Sequence, residues 1–316
     1  MIRLDDIQQA HALLAGRIHR TPVFSSRALG EMTGTTLFLK AECLQKTGSF
    51  KVRGVFNKIE QLSAEARARG LITISAGNHA QALAYGASVT GVKCTVVMPE
   101  NAVATKVEAS RAYGADVVLH GDVFGAFERM EQLRAEHGYT LVHPFNDESI
   151  IAGQGTVGLE LIADLDDVNA VIVPVGGGGL IAGIATAVKT LRPSAKVIGV
   201  EPTGAPALRR ALDSGRVVQL DRIDTIADGL GAPSTGDVVL EHVRQHVDEV
   251  VLVRDEDIVA ALAAILERAK LLVEPAGAAG VAALMAQKVQ LPAGSRVAVI
   301  ASGGNIDLKR LKEVLP

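Results

Sequence analysis

Cysteine is scarce in this chain of 316 residues: Cys43 and Cys94 are the only two. Two are too few for a disulfide framework, and their spacing is not that of a metal knuckle. Cys94, within Val92-Lys93-Cys94-Thr95-Val96-Val97, reads as a residue packed in a strand. Neither sign of charge dominates, since 32 Lys and Arg face 35 Asp and Glu for a formal net charge of −3. That balance argues against a nucleic-acid binder or a polybasic membrane binder. No run is long and apolar enough to span a bilayer. Met1-Ile2-Arg3-Leu4-Asp5-Asp6 opens with mixed charge, unlike a secretory signal. There is no low-complexity tail, no short repeat and no Gly-Lys-Ser/Thr of a nucleoside triphosphatase. These absences leave a soluble cytoplasmic protein as the expectation.

What is present is alternation. Short β-rich runs fall at 36–40, 71–75, 93–98, 116–120, 140–143, 170–175, 196–201, 249–253 and 296–301. Ala- and Leu-rich stretches of helical length separate them, among them 78–89, 124–137 and 258–271. Continuous Val/Ile runs alternating with helices specify buried parallel strands, hence an α/β protein with helices on both sheet faces. The length allows one large domain or two intermediate ones. His143-Pro144-Phe145-Asn146-Asp147 marks the nearest thing to a boundary, and two α/β lobes with a cleft between them are expected.

In such sheets ligands bind beyond the strand carboxyl ends, and three turns there are unusual. Ser75-Ala76-Gly77-Asn78-His79 joins small residues to a helix start, where free N–H groups suit an anion such as a carboxylate. Asn78 equally serves as a helix cap, and His79 as a structural histidine. Gly176-Gly177-Gly178-Gly179-Leu180 follows a Val/Ile run and opens a helix. Four glycines give up much chain entropy, and bare N–H groups at a helix N-terminus cradle phosphate. Gly177, Gly179 and Ala182 also fit a dinucleotide fingerprint completed by Glu201, so a nicotinamide-dependent oxidoreductase is a second reading. Ser302-Gly303-Gly304-Asn305 closes the last strand; Ser302 offers a hydroxyl to a ligand or caps a short helix.

A fourth feature is Thr47-Gly48-Ser49-Phe50-Lys51-Val52-Arg53-Gly54. Ser49 is a good helix-start residue, and Val52, Val55, Phe56, Ile59 and Leu62 follow at helical spacing. Lys51 then lies in a first turn, where the helix dipole and burial beside Phe50 favour a neutral amine. Neutral lysine is what condensation with an aldehyde requires. An amine, an amide, a phosphate cradle and a hydroxyl at strand–helix junctions together match the groups of pyridoxal 5'-phosphate. A non-catalytic amino-acid-binding module is a third reading.

These motifs, with Ile151-Ala152-Gly153-Gln154-Gly155-Thr156 and Val273-Glu274-Pro275-Ala276-Gly277, run in the order found in the serine/threonine dehydratases. The chain resembles that ammonia-lyase family of fold-type II pyridoxal-phosphate enzymes, which is related to serine racemase, over essentially its whole length. The resemblance implies a tryptophan-synthase-β-like fold of two open, twisted, mainly parallel sheet lobes. Residues 1–66 and 145–316 would form the large cofactor domain and 67–144 the small one. It implies α,β-elimination of water from L-threonine or L-serine to give a 2-oxo acid and ammonia. Lys51 would be the Schiff-base lysine, with Phe50 beside it. Asn78 would meet the ring oxygen, Gly176, Gly177, Gly178, Gly179 and Leu180 the phosphate, and Ser302 the ring nitrogen. Glu274 would lie near the cofactor, and Ser75, Ala76, Gly77, Asn78 and His79 would bind the substrate carboxylate.

Some members bind a divalent cation through residues matching Glu201 and Ala205; Ala207 stands where a further acidic ligand is used, so that site lacks an oxygen. Family racemases carry a serine, the second acid/base, where this chain has Ala76, which favours elimination. Hydroxyaspartate and phenylserine remain alternative substrates. No C-terminal regulatory domain follows the last motif, so control by isoleucine through one is not expected. The family forms homodimers or homotetramers.

Overall fold

A computed structural model describes residues 1–315. Its strands are β1 (Val23–Ser25), β2 (Thr36–Lys40), β3 (Leu71–Ile74), β4 (Cys94–Met98) and β5 (Asp116–Leu119). They continue as β6 (Thr140–Leu141), β7 (Ala170–Pro174), β8 (Lys196–Pro202), β9 (Glu249–Val253) and β10 (Arg296–Ile300). One sheet has six strands in the order β1-β2-β10-β7-β8-β9, and the other has four in the order β5-β4-β3-β6. Every pairing is parallel except β1 with β2.

The large sheet is buried on both faces because its central strands are apolar at almost every position. In β7, Ala170 and Ile172 point into one core while Val171 and Val173 point into the other; β10 divides Val297 and Val299 from Ala298 and Ile300 in the same way. Period-2 side-chain alternation within an apolar run produces this two-sided burial. A third core packs helices Lys51–Glu60 and Asn78–Thr90 against the small sheet through Val52, Val55, Phe56, Ile59, Ala80, Leu83 and Val96.

Helix Lys51–Glu60 also lies against helix Glu148–Asp164 almost backbone to backbone. A Cβ at Gly153 would fall 2.6 Å from the Gly54 Cα, so Gly153 cannot grow a side chain without parting the helices. That contact fixes where the first turn of Lys51–Glu60 sits. No helix among the described residues is long and apolar enough to cross a membrane.

The segment expected to form one helix over 258–271 is instead α-helix Asp255–Ala264 followed by a π-turn, Ile265–Ala269, with Lys270 left-handed behind it. A further strand, the three-residue antiparallel edge strand β1, joins those expected.

Candidate active site

The helix expected to start at Ser49 begins two residues later. Ser49 is extended (φ −161°, ψ 162°) and pairs with Gly303 in an isolated antiparallel bridge, while Phe50 takes the cap position. The Phe50 N–H donates to the Ser302 carbonyl at 3.1 Å. The end of β10 thus competes for the backbone that a serine cap would have used. Ser49 Oγ is left buried without a hydrogen-bond partner. Lys51 is the first residue of the helix, as its first-turn placement required. Its Nζ donates to the Pro144 carbonyl at 2.8 Å and lies 5.2 Å from the centre of the Phe50 ring. Burial pushes the ammonium down to about 8, with Glu274 pulling the other way. About a tenth of the amine is therefore neutral at pH 7, far more than for a solvated lysine.

Asn78 does not cap its helix; Gly77 holds that position. The Asn78 amide instead donates from Nδ2 to Glu274 Oε1 at 2.6 Å and accepts at Oδ1 from Asn305 Nδ2 at 2.8 Å. Asn305 also donates to the Thr47 carbonyl at 2.7 Å, which ties the segment before Lys51 to the same chain of amides. Glu274 occupies the cap position of helix Pro275–Met285, and burial raises its carboxyl to about 7 although the Asn78 hydrogen bond works against this. Gly303 and Glu274 are in contact, since a Cβ at Gly303 would lie 2.4 Å from Glu274 Oε1. Ser302, next in the chain to Gly303, is buried.

Ser75, Ala76 and Gly77 form a half-buried turn closed by the Gly77 N–H on Ser75 Oγ at 3.2 Å. His79 is buried, its Nε2 is 2.9 Å from the Val142 carbonyl, and its Nδ1 is unpartnered. Burial, with Lys51 adding to it, holds this imidazole down to about 3. The His79 side chain is thus turned into the protein, and its part in the turn is limited to the backbone.

The glycine turn leaves β7 and enters helix Gly179–Leu191 with Gly178 at φ 90°, a left-handed conformation that Gly adopts without strain. The helix's first-turn N–H groups have no intrahelical acceptor. Phe145 leans on this turn: a Cβ at Gly177 would meet its ring at 2.1 Å. Residues 144 and 145 therefore join the Lys51 amine on one side to the glycine turn on the other.

Glu201 stands apart from this cluster. It is fully buried, not in a solvated turn, and its carboxylate accepts the N–H groups of Leu208 and Arg209 at 2.7 and 2.8 Å. Burial nevertheless raises its pKa to about 7. A ribose-binding acid would have to be free, so this geometry removes the support for the dinucleotide reading. Ala205 is buried nearby, its N–H on the Pro202 carbonyl at 3.0 Å. Among the described residues no three His, Cys, Asp or Glu side chains gather as a metal site.

Two features of the site are not assigned to it from the sequence. The first is the turn at His143 that holds Pro144 and Phe145. The second is a buried ion cluster behind the lysine. Arg53 forks onto Glu42 Oε2 and Oε1, both at 2.8 Å, and onto Glu160 Oε1 at 2.8 Å and Oε2 at 2.9 Å; Lys40 Nζ meets Glu160 Oε2 at 2.7 Å. Two cations and two anions balance with almost no exposure. Burial opposes the Arg53 charge, and the two carboxylates outweigh it.

Comparison with known proteins gives a consistent result. The family model described as "Pyridoxal-phosphate dependent enzyme" matches residues 14–303. The "L-threonine ammonia-lyase" of Thermotoga maritima is 45% identical over 316 residues, which is 100% of this chain and 78% of that protein. The solved structure of a "Threonine deaminase" from "T.th." is 44% identical with a TM-score of 0.92, covering 97% of this chain and 99% of that one. Maize serine racemase is 40% identical with a TM-score of 0.94, covering 98% and 96%. With a family model spanning most of its residues and such relatives along its full length, this chain belongs to the pyridoxal-phosphate dependent enzyme family.

Proposed function

We propose that the protein is an L-threonine and L-serine ammonia-lyase, which removes water from a β-hydroxy amino acid and releases a 2-oxo acid and ammonia. The observation that carries this reading is the half-buried Lys51 amine, held at the Pro144 carbonyl beside a four-glycine helix entry. The residues fit pyridoxal phosphate. A partly neutral amine meets an aldehyde, first-turn N–H groups meet a phosphate, and a buried unpartnered hydroxyl on Ser49 lies two residues from the lysine. Bound there, the cofactor supplies an aldehyde that takes up amines and a ring that withdraws electrons from Cα.

In this reading Lys51 holds the cofactor covalently, and its freed Nζ takes the Cα proton as general base. Gly176, Gly177, Gly178, Gly179 and Leu180 hold the phosphate through backbone N–H groups. Asn78 has one N–H left after serving Glu274 and turns it to the ring oxygen. Ser302 donates to the ring nitrogen, and Phe50 screens the lysine from water. Ser75, Ala76, Gly77, Asn78 and His79 receive the substrate carboxylate through backbone donors. The proposal divides the chain into two domains, 1–66 with 145–316, and 67–144. A cytoplasmic homodimer or homotetramer completes the proposal. Assay of 2-oxo acid release from a panel of β-hydroxy amino acids tests it: threonine and serine turnover is expected, and none on any member overturns it.

One observation weighs on the racemase alternative. Racemisation needs a second proton carrier opposite the lysine, and the resemblance puts Ala76 at that place, with no proton to give. D-serine formation from L-serine is expected to be minor beside elimination; efficient racemisation would contradict this use of Ala76.

A further inference from the structure

We propose that His143 is a positioning residue which, by accepting two backbone N–H groups, aims the Pro144 carbonyl at Lys51 and holds Phe145 on the glycine turn. The inference rests on the proposed function only in its kinetic arm.

His143 Nδ1 accepts the N–H of Phe145 at 3.2 Å and of Asn146 at 2.9 Å. Backbone N–H groups are donors without choice, so Nδ1 carries a lone pair and the ring proton, when the imidazole is neutral, must sit on Nε2. The side chain plays the part that Asn or Asp plays in a side-chain-closed turn. Inside the loop so closed, Pro144 offers only its carbonyl, because proline has no N–H. That carbonyl meets Lys51 Nζ at 2.8 Å. A carbonyl acceptor binds an ammonium more strongly than an amine, so it stabilises Lys51 as the lysine gains a proton while the lone pair of the neutral amine stays free for the reaction. Phe145 stacks edge-on against the His143 ring with centroids 4.6 Å apart, and it also packs on Gly177 and Gly179. Asn146 continues the clamp by accepting the Val238 N–H at 3.2 Å. One imidazole thereby sets the lysine's acceptor and the wall of the glycine turn together. Burial, with Lys51 next, keeps His143 neutral down to about 4, so it adds no repulsion to the lysine.

The test pairs His143→Leu with His143→Asn in the cofactor-loaded protein. Asn retains an acceptor of suitable reach and Leu does not. The Leu variant is expected to release cofactor on dialysis at least about ten-fold faster and to lose at least about ten-fold in kcat on threonine with KM changed less than about two-fold; the Asn variant is expected within about three-fold of wild type on each. Equal behaviour of the two variants, whether both are impaired or both intact, overturns the inference. A third readout does not depend on any variant folding. Nitrogen NMR of wild-type protein with labelled histidine is expected to show His143 as the neutral Nε2–H tautomer at neutral pH. The Nδ1–H tautomer or an imidazolium there overturns it. Should wild type turn over neither threonine nor serine, the proposed function falls, while cofactor release and the NMR signal still decide the role of His143.

Discussion

At the scale of single residues, Glu274 shows how the site holds ionisable groups away from their ordinary values. Burial lifts its carboxyl from 4.5 to about 7. A carboxyl raised on folding contributes its stability in full below the unfolded value, and that contribution is lost as pH rises through the folded one. Without cofactor, the protein's unfolding free energy is therefore expected to fall between about pH 5 and pH 8 by up to roughly 3 kcal/mol through this group. Glu274→Gln removes that decline, and urea unfolding across the range checks it; an unchanged slope in the variant contradicts the assignment. The residue also illustrates what a sequence can carry. Its motif marks the position, but its partner Asn78 lies 196 residues away, and Asn305 lies 227 residues from Asn78. No local pattern reports such a chain of hydrogen bonds.

Elements are legible in the sequence where one face or both are apolar throughout. The runs at β2 and β9 have the boundaries the alternation suggests, because packing decides nothing there that the side chains do not already announce. Competition between distant segments leaves no such trace. Ser49 has the chemistry of a helix cap, yet Gly303, 254 residues on, takes its backbone as a bridge partner. β1 is hidden because three residues behind Pro22 give too short a pattern to register. No local pattern links Glu42, Arg53 and Glu160, which the packing of helix Lys51–Glu60 on Glu148–Asp164 helps to bring together in the interior. Arg53→Met leaves two buried carboxylates with Lys40 alone and is expected to cost about 3–5 kcal/mol in chemical denaturation. A loss under about 1 kcal/mol would mean that the cluster is neither dry nor tight. At the glycine turn, Gly178→Ala forces a Cβ into left-handed backbone and within 2.5 Å of Val239 Cγ1. The expected outcome is a cofactor dissociation constant raised at least about ten-fold, read by absorbance titration; unchanged affinity would remove the turn from the binding site.

For the molecule as a whole, a cavity of about 580 Å³ reaches Glu274 and is lined also by Gln81, Lys106, Asp228 and Asn305. Lys106 and Asp228 meet across it at 3.1 Å. The apolar packing among helices Lys51–Glu60, Asn78–Thr90 and Glu148–Asp164 far outweighs this partly exposed pair. Lys106→Met is accordingly expected to change the unfolding free energy by less than about 1 kcal/mol, and a larger loss would make the pair a structural tie. The central claim is that Lys51 carries the cofactor. Borohydride reduction of the loaded protein, followed by digestion and mass spectrometry, tests it most directly. The account predicts a colour lost on reduction and a pyridoxal-phosphate mass increment on the peptide containing Lys51, absent in Lys51→Ala. An increment on Lys46 or Lys58 instead, or a loaded protein without colour, would contradict it.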